Sequence, residues 1–220
     1  MKRKLKIGIV GLGAIGKVHA DAYSRCDGAE MTALCDIEPI RLAEQAEKYG
    51  VQGRFRNFRD LLKTDVDAVS ICVGNTLHRD FALAALQAGK HILLEKPMAM
   101  NARQAGDIVA AQKKARRVVQ IGMVYRQALE ARTVREDVLA GRLGEIYHMR
   151  AVLIRRRGIP GLGGWFTTKA LSGGGPLIDI GVHWFDLCLH MSNLWNPTRV
   201  SAMTYAKFGP RMQGYRYVSM

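Results

Sequence analysis

Gly11-Leu12-Gly13-Ala14-Ile15-Gly16 restricts the fold of this chain more than any other stretch. Before it runs Leu5-Lys6-Ile7-Gly8-Ile9-Val10, a short apolar strand, and after it Lys17-Val18-His19-Ala20-Asp21-Ala22-Tyr23, which reads as a helix. A G-x-G-x-x-G between strand and helix is the fingerprint of dinucleotide binding. The first glycine permits the tight turn, the second lets backbone approach a pyrophosphate, and the third lets helix pack on strand. The helix start, with Ala14 and Ile15, then offers unpaired N–H groups and a partial positive charge to phosphate.

Asp36 extends the pattern. It closes a second strand, Glu30-Met31-Thr32-Ala33-Leu34-Cys35, twenty residues past Gly16. An acid there accepts hydrogen bonds from the adenosine ribose and repels a 2′-phosphate, so NAD is expected in preference to NADP. Arg41 could serve a 2′-phosphate only if the loop folded back. The competing reading of Asp36 is a strand-end turn or helix cap, since Glu38-Pro39 follows.

Alternation continues downstream. A helix is expected over Pro39–Tyr49, a buried strand over Val66–Val73, and a helix around Phe81–Leu86 stopped at Gly89. A strand follows at His91–Leu94, then a helix from Asn101, whose side chain can cap it, to Ala115, and a strand at Val118–Ile121. Strands and helices alternating at these lengths predict an α/β, doubly wound parallel sheet. The pattern changes near Gly122, which divides the chain into residues 1–122 and 123–220. The second part reads as a helix over residues 126–140, a long strand from Gly144 to Arg156, a glycine-rich loop (Gly158, Gly161, Gly163, Gly164, Gly173-Gly174-Gly175) and a helix from Pro176 to Met191. On that last helix Asp179, His183, Asp186 and His190 fall on one face of an α-helix. A polar seam on an apolar helix is costly unless its groups are paired or used, so it lines a cleft or forms a satisfied network. Asp179 and His183 are also spaced like metal ligands, but no third ligand is placed and no metal is expected.

Charge and cysteine usage exclude several classes. The net charge of +14 raises nucleic acid as a partner, yet residues 1–124 and 125–220 carry +7 each and no basic tail exists. Arg155-Arg156-Arg157, the densest basic cluster, has no interleaved aromatics, which argues against nucleic acid. Cys26, Cys35, Cys72 and Cys188 lack C-x-x-C spacing and sit at apolar positions, predicting buried reduced thiols in a cytoplasmic protein. The basic start Met1-Lys2-Arg3-Lys4 resembles a signal peptide, but Lys6 and four glycines break the run behind it. No apolar stretch is long enough to span a bilayer.

Glycine fingerprint, Asp36, Glu95-Lys96-Pro97 and Gly175-x-x-x-Asp179-x-Gly181-x-His183, in this order, resemble the glucose–fructose oxidoreductase/inositol dehydrogenase (Gfo/Idh/MocA) family across nearly the whole chain. Gly74-Asn75-Thr76-Leu77-His78 resembles the family's loop after the fourth strand, with Gly-Asn where Thr-Pro is usual. The resemblance implies a Rossmann domain followed by an α+β domain with an open-faced mixed sheet, with nicotinamide and a sugar or cyclic polyol meeting between them. It implies Lys96, Asp179 and His183 as catalytic residues, and a Lys96–Pro97 bond that is often cis. Gly74, His78 and Glu95 fall on the cofactor side, and Tyr125 and Arg126 near substrate. Oxidising a secondary alcohol needs a base for the hydroxyl proton; His183 suits that role, and Lys96 orients the hydroxyl or is itself the base. Asp179 would hold substrate or tune both. Trp165 is a candidate to stack on a sugar ring, with Arg157 or Thr168 bonding hydroxyls; equally, Trp165 plugs a core.

Val200–Tyr205 and Tyr215–Val218 read as strands, too few to cover an open sheet. The resemblance therefore leads one to expect a second domain left incomplete at residue 220, and a dimer or tetramer when the full parent chain is present. Two alternatives to a dehydrogenase stay open: a glycoside-cleaving relative that oxidises transiently with held NAD, and a cofactor-sensing regulator.

Overall fold

The computed structural model describes residues 3–154 and 164–207. The chain divides into two compact units, Met1–Met123 with Ala170–Gly173, and Val124–Lys169 with Gly174–Met220. The arginine cluster at 155–157, the glycines at 158, 161 and 163, and the expected strand at 215–218 lie outside the described residues.

In the first unit, β1 (Leu5–Val10), β2 (Ala29–Cys35), β3 (Gly53–Phe55), β4 (Ala68–Ile71), β5 (His91–Leu94) and β6 (Val119–Ile121) form one sheet. Its order is β3-β2-β1-β4-β5-β6 and every pairing is parallel. Parallel neighbours require crossovers. These are α1 (Ala14–Ser24), α2 (Pro39–Tyr49), α3 (Phe58–Leu62), α4 (His78–Gln87) and α5 (Ala102–Ala115). The strands alternate between two cores. Ile7 and Ile9 of β1 join Leu12, Ala20, Leu34, Leu42 and Ala46, whereas Val10 joins Leu61, Val69, Ile71, Ala82, Leu86, Leu94 and Ile108. Each fully buried Ile or Leu contributes about 1.5–3 kcal/mol, so two filled faces account for the sheet's persistence. Strand order reverses between β1 and β4, and ligands of such sheets bind outside the carboxyl ends at that point.

Local signals behave as their chemistry predicts. Pro39 opens α2, and Gly50 at φ +67° closes it. The Asn101 side chain accepts from Gln104 N at 3.0 Å and caps α5, while Lys113 and Lys114 sit in its last turn. Cys35 and Cys72 are buried thiols as expected. Cys26 is exposed, because it lies in the turn that leaves α1.

The second unit departs further from the sequence reading. A 3₁₀ turn at Val124–Gln127 precedes α6 (Leu129–Leu139), so that helix starts later than expected. α7 (Lys169–Ser172) is a single turn, and α8 (Val182–Ser192) packs on α6. Neither Gly144–Ile154 nor Val200–Tyr205 is a strand among the described residues. A strand exists only when a neighbour takes its N–H and C=O groups, and neither segment joins a ladder among the described residues. Their apolar side chains remain exposed, Tyr147 at 94% and Met203 at 77%.

Candidate functional site

The glycine loop leaves β1 and enters α1 through three glycines with different reasons to be glycine. Gly11 has φ +84°, and a Cβ there would lie 2.4 Å from the Cys72 carbonyl oxygen. A Cβ on Gly16 would lie 1.9 Å from the Gly11 carbonyl oxygen. Both are demanded by the protein itself. Gly13 is not: its φ of −66° is open to any residue, and a Cβ would find only Arg41 Nη1, at 4.0 Å. Gly13 is the N-cap of α1, whose first turn holds no acidic residue and whose N-cap contributes no side-chain bond. Ala14 and Ile15 are exposed there. A cradle that a Cβ would fill, at a helix N-terminus, fits the pyrophosphate of a dinucleotide.

Asp36 ends beside this loop with its side chain 4% exposed. Its Oδ2 accepts from Leu12 N at 2.7 Å and its Oδ1 from Glu38 N at 2.8 Å. Arg41 Nη1 stands 3.5 Å from Oδ2, so α2 does bring the guanidinium back to the acid. Asp36 is thus the turn-forming residue, and its carboxylate stands at the end of β2 against the glycine loop. Ile37 and Ile40, which the sequence reading passed over, are 82% and 69% exposed beside it. Their signal was available, since two large apolar side chains flank Asp36 where a turn to α2 needs none.

The ends of β4 and β5 carry the next group. Gly74 precedes a 3₁₀ turn, Asn75–Leu77, that leads into His78. His78 is buried, with Nδ1 2.6 Å from Pro97 O and Nε2 3.0 Å from Val73 O. Burial pushes its pKa below the ordinary 6.5, and the neutral ring carries one N–H for two carbonyls. His78 therefore braces two loops from behind. Glu95 is buried too. Its Oε1 meets His19 Nε2 at 3.0 Å, and its Oε2 accepts from Lys96 N at 3.3 Å. His19 in turn lies 3.3 Å from Ser70 Oγ, which Tyr23 OH meets at 2.9 Å. Gly122 leaves room for this carboxylate, since a Cβ would sit 2.7 Å from Glu95 Oε1. Glu95 and His19 thus tie α1 to the strand end that presents Lys96. The Lys96–Pro97 peptide is cis.

In the second unit Asp179 lies on a single π turn, Leu177–Gly181, that runs into α8. Such i→i+5 turns cluster at functional sites, and this one corrects the single α-helical face drawn through Asp179 and His183. His183 is buried and meets Tyr125 edge to face, with ring centres 5.0 Å apart. Tyr125 stacks on Trp184 at 5.4 Å. The rest of the polar seam is structural. Asp186 accepts from Arg126 Nε at 2.7 Å and from Nη2, and this pairing raises the Arg126 pKa. That guanidinium also covers Trp195 at 5.2 Å. The His190 carbonyl accepts from Arg135, while burial and the nearby cations of Arg135 and Arg126 push the His190 ring below its ordinary pKa. Trp165, 45% exposed, meets Phe166 edge to face, and Thr168 Oγ1 bonds Gly164 O at 2.9 Å. Among the described residues no three His, Cys, Asp or Glu side chains are grouped as metal ligands, and no helix is long and apolar enough to cross a membrane.

A parallel sheet in this order, with a glycine loop at its switch point and an acid at the end of β2, defines a dinucleotide-binding Rossmann protein. The chain belongs to the GFO/IDH/MocA oxidoreductases. The family model described as an oxidoreductase family with an NAD-binding Rossmann fold matches residues 5–123, and the GFO/IDH/MocA C-terminal domain model matches residues 131–219. The chain is 38% identical over 207 residues to D-glucoside 3-dehydrogenase of Escherichia coli (strain K12), covering 93% of this chain and 59% of that protein. It is 29% identical over 188 residues to myo-inositol 2-dehydrogenase of Thermotoga maritima, covering 85% of this chain and 54% of that one. Among solved structures, an aldose-aldose oxidoreductase from Caulobacter crescentus complexed with glycerol superposes with a TM-score of 0.77 at 30% identity, covering 87% of this chain and 58% of the other. The chain thus spans little more than half the length of these relatives.

Proposed function

We propose that this chain is the nicotinamide-binding and acid/base portion of an oxidoreductase that moves hydride between a secondary alcohol of a sugar or cyclic polyol and NAD. The open backbone at Gly13 is the observation that carries it, because among the described residues a side chain there would meet only the flexible end of Arg41, at 4.0 Å. The named activities of the glucoside and inositol dehydrogenases that it resembles support the substrate class.

When bound, NAD supplies the hydride-accepting carbon. The loop of Gly11, Gly13, Ala14, Ile15 and Gly16 would hold the pyrophosphate through N–H groups. Ile37 and Ile40 would cover the adenine, and Asp36 would accept from the ribose. NAD is the expected partner because Asp36 stays negative beside the 2′-position. Arg41 at 3.5 Å offsets part of that charge, so the preference over NADP is modest. Lys96 would orient the substrate hydroxyl and stabilise developing negative charge on oxygen. His183 would take the hydroxyl proton at a ring nitrogen, with the Tyr125 ring fixing the plane of the imidazole. Asp179 would favour the imidazolium so formed. Arg126 is committed to Asp186, which leaves its remaining N–H groups for a substrate hydroxyl.

Fluorescence titration with NADH and NADPH tests the site first. Saturable binding that favours NADH by about tenfold is expected, about 1.4 kcal/mol. His183→Ala and Lys96→Ala should each lower turnover of a polyol or sugar at least about a hundredfold, with the NADH Kd unchanged. Near-wild-type turnover in either variant ends that assignment, and no binding of either nucleotide ends the reading as a whole.

A further inference from the structure

The turn that follows β4 holds a buried amide whose partner is far away in sequence. Asn75 is 7% exposed, and its Nδ2 donates at 2.7 Å to the carbonyl of Ser172, itself 4% exposed. Ala170–Gly173 accordingly groups with the first unit, although the chain on both sides of it, Val124–Lys169 and Gly174–Met220, forms the second. Four residues are thus a strap fastened to the Rossmann unit.

The fastening point is itself braced. The loop leading to Asn75 passes so close to Gly11 that a Cβ there would lie 2.4 Å from Cys72 O and 3.1 Å from Val73 N. On the other side His78 spans Val73 O and Pro97 O. Asn75 therefore rises from backbone wedged between the glycine loop and the Lys96-Pro97 turn. Beyond the strap, Gly173 turns the chain at φ +89°, and Ile178 N and Asp179 N donate to Gly175 O at 3.1 and 3.3 Å. These bonds start the π turn that bears Asp179 and continues into α8 and His183.

We propose that Asn75 is a positioning residue for the acid/base helix: by holding the Ser172 carbonyl, it fixes the point at which the chain departs for Asp179 and His183. The inference rests on the roles given to those two residues above. A neutral side-chain donor to a backbone carbonyl specifies position without adding charge beside the nucleotide. Its loss removes the 2.7 Å bond to that buried carbonyl, which favours release of the strap. A displacement of about 1 Å in an acid/base group costs on the order of a hundredfold in rate, so a remote anchor is visible in turnover.

Asn75→Leu tests this, because the side chain keeps about the same volume, brings no charge beside the nucleotide and has no hydrogen to donate. Lys169 is exposed at the first position of α7, so trypsin cleavage after it reports release of the strap; cleavage after the exposed Arg142 is the internal control. The expected result is cleavage after Lys169 about tenfold faster relative to the control. Turnover should fall with the cofactor KM and the NADH Kd unchanged. Asn75→Ser, which retains a donor, should recover part of both readouts. Unchanged cleavage overturns the proposal, and so does lost turnover accompanied by lost NADH binding. Should the unsubstituted chain bind NADH without turnover, faster cleavage in Asn75→Leu still supports the anchor, and the failure falls on the proposed reaction.

Discussion

Gly13→Ala separates the needs of the fold from those of the nucleotide. In the free protein the new methyl meets only Arg41 Nη1, at 4.0 Å, the flexible end of a side chain that is 40% exposed. Two small effects oppose each other. Alanine lowers the entropy of the unfolded chain, a gain of about 0.4–1 kcal/mol. Gly13 is also the N-cap of α1, where alanine is worse than glycine by about 0.5–1 kcal/mol. They offset, so the Tm of the free protein should move by less than about 3 °C. The methyl would, however, stand where backbone meets pyrophosphate. Overpacking a close contact costs about 1–3 kcal/mol, which is about fivefold to 150-fold in the NADH Kd. Scanning fluorimetry and NADH titration on the same preparation read both numbers. Gly16→Ala is the contrast: its Cβ would lie 1.9 Å from the Gly11 carbonyl oxygen, backbone that cannot yield, so the fold itself should fail. A Gly13→Ala protein that binds NADH within about twofold of the parent would refute the reasoning.

Two further outcomes are expected. The folded state holds His78 neutral, with its pKa depressed by burial below 6.5, while the unfolded chain takes up a proton near that value. Stability is therefore full above about pH 6.5 and falls as the pH drops, and His78→Gln should flatten the fall in Tm between about pH 7.5 and pH 5.5. Arg126→Met leaves the Asp186 carboxylate, 13% exposed, without its guanidinium. Urea unfolding followed by tryptophan fluorescence should show a loss of about 1–3 kcal/mol, largely recovered by adding Asp186→Leu; an unaltered single variant would mean that the pair holds nothing.

The sheet was readable because its signals are local. β1, the glycine loop, α1, β2 and Asp36 announce themselves through period, glycine spacing and a strand-end acid, and Asn101 announces α5 by capping chemistry. β3 and α3, three and five residues long, fall below the length at which periodicity speaks. The expected strands at residues 144–156 and 200–205 have the right residues, but strand formation depends on a partner that a segment's own sequence does not contain. For the candidate site, the family motifs pointed to Lys96, Asp179 and His183 but not to their surroundings. The π turn under Asp179 breaks the period that the seam argument assumed. The partners of Glu95 and Asn75, His19 and Ser172, are 76 and 97 residues away, distances at which no spacing rule applies.

Asp36 shows how such hidden partners alter a functional argument. Read as an isolated acid at the end of β2, it is a ribose acceptor whose replacement would simply admit a 2′-phosphate. In the folded chain it joins two helix starts: Oδ2 holds Leu12 N within the glycine loop, and Oδ1 holds Glu38 N ahead of α2. Removing the carboxylate strips a buried partner from Leu12 N, at a cost of about 1–3 kcal/mol, and loosens the cradle for either nucleotide. The charge on which the proposed NAD preference rests and the bond that shapes the loop are therefore the same group. Arg41 is the separable element, since it is 40% exposed and reaches Asp36 only as an ion pair at 3.5 Å. Its guanidinium offsets part of the Asp36 charge from an exposed position on α2. Position 41 is thus free to vary, whereas position 36 is constrained by the fold.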